Sequence, residues 1–163
     1  MSRFIATFFY VGLLPVAPGT WGSLVALPLG YGLHYFGGFP ALLAGAVISF
    51  VIGVKAIKIA TYGKDDHDPS EIVIDEVCGQ WIALLPVSAG LWFAGADPAV
   101  FPYPGWVSAF LMFRLFDIWK PWLVGWADRK HTPIGVMLDD VIAGCFAAII
   151  VAIAAGIIHG VFT

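Results

Sequence analysis

Three acids head one apolar run: Glu71, Asp75 and Glu76, in the stretch Glu71-Ile72-Val73-Ile74-Asp75-Glu76-Val77-Cys78-Gly79-Gln80-Trp81. A carboxylate near hydrocarbon is costly, and one that persists there marks function. On a helix Glu71 and Asp75 share a face, with Glu76 beside them. Like charges at that spacing repel. A divalent cation relieves the repulsion, and hard carboxylate oxygens favour Mg²⁺, held by few protein ligands and several waters. Asp75 and Glu76 are therefore expected to bind metal, with Glu71 as an auxiliary ligand. The plainer alternative is a solvated helix N-terminus whose acids complement the dipole, and it weighs most for Glu71.

A second cluster is Phe113-Arg114-Leu115-Phe116-Asp117-Ile118-Trp119-Lys120-Pro121-Trp122. Arg114, Asp117 and Lys120 fall at successive intervals of three, on one helical stripe. Arg114 offers a forked grip on a phosphate and Lys120 a point charge beside it, while Asp117 would bind metal or orient a reactant. A self-neutralised Arg–Asp pair with a snorkelling lysine is the plainer alternative. The third cluster is Asp139-Asp140, expected to open a helix that is apolar to the end of the chain. Capping explains one of the two. A second carboxylate group facing the first would complete a one- or two-metal site. The fourth is Pro18-Gly19-Thr20-Trp21-Gly22-Ser23. Glycine backbone there, with the Thr20 and Ser23 hydroxyls just before a helix, suits an anion at a helix N-terminus, or simply a capped loop.

Together these residues fit metal-assisted attack of water on a phosphomonoester, with Asp75, Glu76, Asp117 and Asp140 as the catalytic acids and Gly19, Thr20, Ser23, Arg114 and Lys120 on the phosphate. Asp139 joins Asp75, Glu76 and Asp140 as a metal candidate. Other mechanisms lack their residues. No Cys-x5-Arg loop, Gly-x-Ser-x-Gly elbow or Gly-Lys-Ser/Thr Walker loop occurs. Also absent is the Lys/Arg-Arg-Pro, Pro-Ser-Gly-His and Arg…His set of the vanadium-haloperoxidase-like lipid phosphatases. His67, in the acidic loop, is read as solvated, and His34, His131 and His159 as structural or interfacial.

The elements that must position these clusters are apolar. The 163 residues are 60% hydrophobic and 12% charged, the mean hydropathy is +0.90, and no charge occurs between Arg3 and Lys55. A span needs about 20 apolar residues. One all-α domain over residues 1–163 is expected, a polytopic helical membrane protein. It has about four to five spans, near 22–36, 40–60, 71–94, 105–119 and 139–160, with a short interfacial or re-entrant helix over 4–13. Gly37–Pro40 reads as a turn and 121–138 as a loop. Ser70 or Asp68 is the expected cap of the third span. The N-terminal run is expected to be retained rather than cleaved as a signal peptide. Cys78 and Cys145 read as small buried hydrophobes, and the seven tryptophans suit a membrane belt. No basic tract or nucleic-acid-binding signature appears, which argues against that partner.

All eight Lys and Arg residues fall on one side of these spans. The positive-inside rule makes that side cytoplasmic, and all four clusters meet there.

Gly19-Thr20-Trp21-Gly22-Ser23, Ile74-Asp75-Glu76-Val77 with Gly79-Gln80-Trp81, Arg114-Leu115-Phe116-Asp117 with Lys120-Pro121, and Leu138-Asp139-Asp140-Val141 with Ala143-Gly144 together resemble the phosphatidylglycerophosphatase A family. The motifs run from residue 19 to 144 in the family's order. The resemblance implies an all-α, Mg²⁺-dependent phosphatase of the bacterial inner membrane, facing the cytoplasm among membrane lipids. Its substrate would be phosphatidylglycerophosphate and its product phosphatidylglycerol, a precursor of cardiolipin. The family's polar positions fall on Thr20, Asp75, Glu76, Arg114, Asp117, Lys120, Asp139 and Asp140. Trp122 and Leu123 follow Lys120-Pro121 where the family often carries a second proline.

Two other readings are weighed. A phosphatidyltransferase needs an Asp-Gly-x2-Ala-Arg-x8-Gly-x3-Asp-x3-Asp pattern that is missing. A small membrane cation-binding or transport protein would place its acids near mid-membrane, whereas here they cluster at helix ends. A single cysteine introduced in the 62–70 loop is expected to react with an impermeant thiol reagent from the cytoplasmic side; reaction from the outer side alone would invert the topology.

Overall fold

A computed structural model of the chain describes residues 1–63, 69–100 and 102–162, with backbone only from residue 159. His67 and Asp68 lie outside the described residues, as does the His159 side chain. Among the described residues six α-helices follow one another: α1 (Ser2–Ala6), α2 (Pro18–Ala60), α3 (Ile74–Phe93), α4 (Tyr103–Trp119), α5 (Leu123–Asp128) and α6 (Pro133–Phe162), with a 3₁₀ turn at Val11–Leu13. No strand occurs among the described residues. The all-α expectation holds. Among the described residues two helices are long and apolar enough to cross a membrane, Pro18–Ala60 and Pro133–Ile158, fewer than the four to five spans expected.

The expected spans at 22–36 and 40–60 are the two halves of α2, which has 43 residues. The break between them is Gly38, at φ 64°, ψ −157°, a conformation that glycine alone reaches at little cost. The ring of Trp92 fills the space a side chain there would need. Pro40 follows, and its missing N–H keeps the kink open. In a straight helix Leu33 and Gly45 would stand about 18 Å apart along the axis. Here a Cβ on Gly45 would lie 2.7 Å from Leu33 Cδ1, so the halves fold back on each other.

Helix α3 is the hub, packed against α2, α4 and α6. Ile74 and Val77 belong to one apolar cluster with Ile57 and Met137. Farther along, Ala83 and Leu84 belong to another with Phe113 and Ala147. Trp81 Nε1 donates to the Ala26 carbonyl at 2.8 Å, pinning α3 to the first half of α2. His34 and Ser88 form a buried hydrogen bond of 2.8 Å across the same interface.

Helix α3 begins at Ile74, three residues later than expected. The Val73 N–H donates to the Ala6 carbonyl (3.0 Å) instead of to a preceding turn, and Val73 is non-helical at φ −142°, ψ 10°. Glu71 therefore lies outside the helix, and the face it was expected to share with Asp75 does not exist.

The expected 121–138 loop contains α5 and the first turn of α6. Thr132 caps α6, its Oγ1 accepting from the Gly135 N–H at 3.1 Å, and Pro133 sits at the first helical position. Asp139 and Asp140 consequently occupy the second turn, where a cap has no use for them. Of the two cysteines, Cys78 is buried as expected but Cys145 is exposed.

Helices α3 and α6 touch backbone to backbone at Gly79 and Gly144. A Cβ on Gly144 would strike the Gly79 carbonyl oxygen and lie 3.1 Å from Gly79 Cα; one on Gly79 would lie 2.6 Å from the Asp140 backbone carbonyl oxygen. Small residues let membrane helices approach this closely. Gly144→Ala is expected to destabilise the fold by about 1–3 kcal/mol, read as a lower thermal midpoint in detergent. Gly156→Ala, which meets nothing, should leave the midpoint unchanged.

Candidate active site

The polar ends of four helices enclose a cavity of about 400 Å³. Gly19, Asp75, Glu76, Arg114, Asp117, Lys120, Asp139 and Asp140 line it, so eight of the eleven expected site residues converge there. Glu71, Thr20 and Ser23 are not in the lining.

Glu71 pairs with Arg3 at 3.0 Å, in partly exposed surroundings. It ties the start of the chain to the entry of α3 rather than joining the acids. The Pro18–Ser23 segment is not a loop but the first turn of α2. Its Ser23 hydroxyl donates to the Gly19 carbonyl at 2.9 Å, inside the helix. Gly19 itself approaches α3 closely. A Cβ there would collide with Glu76 Oε1 and lie 3.3 Å from Arg114 Nη1.

Asp75, Glu76 and Asp140 bring carboxylate oxygens within 4.8 Å of one another. Asp75 and Asp140 are buried. Glu76 Oε2 is buried without a protein hydrogen-bond partner, a state that native proteins avoid unless a ligand or ion completes it. The donor set is all oxygen, which suits a hard divalent cation such as Mg²⁺.

Two cations share the lining with the acids. Arg114 pairs with Asp117, both sides largely buried, and Arg114 Nε is buried without a partner. Lys120 ends α4 in the left-handed conformation, φ 49°. Its Nζ donates to Asp128 and, at 3.0 Å, to Asp139. Burial works against the ammonium, but the hydrogen bond to Asp128 and the charge of Asp139 outweigh it, holding its pKa above the usual lysine value. Lys120 is thus charged at any physiological pH. Asp139 turns its other oxygen to the Asp140 N–H, at 3.0 Å. It faces the lysine rather than completing the acid trio.

Asp128 is the residue that sequence reasoning missed. It lies on α5, in what reads as a loop, and meets Lys120 across a chain reversal that no helical spacing rule describes. The only available signal was an acid directly before Arg129 and Lys130. The assembled site holds an acid trio, a guanidinium and an ammonium in one lining. Such a cavity can take a cation and an anion together.

Comparison with known proteins gives one family. The model of phosphatidylglycerophosphatase A matches residues 4–155. Phosphatidylglycerophosphatase A of Escherichia coli is 36% identical over 88% of this chain and 77% of its own length. The protein of the same name from Haemophilus influenzae is 34% identical over 90% and 84%. A Bacteroides thetaiotaomicron protein, provisionally named a phosphatidylinositol-3-phosphatase, is 36% identical over 94% and 93%. No solved structure matches the chain. Matched over most of its length, the chain belongs to the phosphatidylglycerophosphatase A family and is a phosphatase.

Proposed function

We propose that the protein hydrolyses the terminal phosphomonoester of phosphatidylglycerophosphate, yielding phosphatidylglycerol and phosphate, with Mg²⁺ as cofactor. One observation carries this reading: in a member of this family, an acid trio, an arginine and a lysine line a single cavity. Asp75, Glu76 and Asp140 would hold the metal. Their converging oxygens and the unpartnered Glu76 Oε2 support that assignment. When bound, Mg²⁺ would offset charge on the phosphoryl oxygens.

The chain's own groups do the rest. Arg114, its plane fixed by Asp117, offers a fork to two phosphate oxygens. Lys120 adds a point charge, and the α2 N-terminus at Gly19 a favourable dipole. A carboxylate of the cavity wall accepts a proton from the attacking water. As the water oxygen bonds to phosphorus, the bond to the glycerol oxygen breaks. That oxygen takes a proton and becomes the free hydroxyl of the product lipid.

The protein is placed in the bacterial inner membrane with the site facing the cytoplasm, supported by the one-sided distribution of Lys and Arg. Four to five passes fit the folded-back halves of α2 together with α3, α4 and α6.

The test is phosphate release by purified protein from phosphatidylglycerophosphate, with Mg²⁺ and after chelation, and from phosphatidylinositol 3-phosphate in parallel. Mg²⁺-dependent release from the first lipid is expected. No release under any divalent metal overturns the reading, and faster release from the inositol lipid reassigns the substrate. Asp75→Asn and Asp140→Asn should each lower kcat/KM by about a hundredfold or more while leaving the helical circular-dichroism signal intact. Arg114→Lys should cost about tenfold, because a point charge replaces a fork; unchanged kinetics would reduce Arg114 to a structural partner of Asp117.

A further inference from the structure

Helix α4 has two faces. Trp106, Ala109 and Phe113 are buried in the bundle. On the other side Val107, Leu111, Leu115 and Ile118 recur at intervals of four, four and three, which is one helical stripe. Leu111, Leu115 and Ile118 are 53%, 48% and 70% exposed. The stripe does not stop short of the site. Ile118 is itself part of the cavity lining, next in line to Arg114 and Asp117. Helix α2 carries a shorter counterpart, exposed Trp21 and Leu24, leading from Pro18 in the same lining.

We propose that these two stripes are the track for the acyl chains of the lipid substrate, bringing a membrane-embedded diacyl phosphomonoester to Arg114 and Lys120. The assignment rests on the phosphatase reading above. Continuity decides it. Helix α6 also exposes isoleucines, among them Ile150 and Ile153, but it contributes only Asp139 and Asp140 to the cavity. None of its apolar side chains lines the cavity. Exposed apolar side chains on α4 and α2, by contrast, run without interruption into a charged cavity. A two-chained amphiphile with an anionic head has that same division of surface.

Chain-length selectivity tests the track. Phosphate release is measured from dioleoyl and dihexanoyl phosphatidylglycerophosphate in the same mixed micelles. The wild-type protein should favour the long-chain lipid in kcat/KM. The double variant Leu111→Ser/Leu115→Ser should lower that preference about tenfold, through lost apolar contact. Ile150→Ser/Ile153→Ser, equally exposed, should leave it unaltered. An unchanged preference in the α4 variant overturns the track, as do equal losses in both variants or a wild-type protein indifferent to chain length. Wild-type protein that hydrolyses neither lipid overturns the phosphatase reading and the track with it.

Discussion

Like charges in an apolar setting do not gather unless something forces them together. Here the force is backbone contact. Gly79 lies one helical turn beyond Asp75 on α3, and Gly144 one turn beyond Asp140 on α6. Their direct contact brings the two carboxylate-bearing turns into one cavity. Packing energy distributed along α3 and α6 thus opposes a local repulsion between acids. The glycines are as much a part of the site as the acids, although neither offers it a side chain.

Around that contact the charges are sorted. The acids belong to α3 and α6, the cations to α4 and its C-terminal cap. Each cation is steadied by a carboxylate outside the trio, Asp117 for Arg114 and Asp128 and Asp139 for Lys120. The cavity therefore presents fixed, opposed charges that need little reorganisation on binding, which is the condition under which electrostatic stabilisation works best.

The acids and cations of the site were legible because charge is rare in this chain, so each exception stood out. Asp75, Glu76, Arg114, Asp117, Lys120 and Asp140 were all found this way. Helix boundaries were harder. Glu71 looked helical because nothing local revealed that the Val73 N–H donates to Ala6, a contact between segments distant in sequence. The start of α6 was legible in principle, since Thr132-Pro133 is a cap followed by a proline, but the apolar run from Asp139 overshadowed it. Asp128 was invisible for a different reason: its partner lies across a reversal formed by left-handed Lys120 and by Trp122 at φ 39°, and no periodicity predicts that geometry.

The fold-back at Gly38 makes a ruler of α2. Its first half sets how far Gly19, which packs on Glu76, lies from the bend. One residue added to the first half would carry Gly19 about 1.5 Å along the axis and about 100° around it, away from Glu76. The distance from bend to site is therefore fixed in whole residues. Length in this helix is constrained as tightly as composition in the cavity, and insertions belong only in the connections between helices.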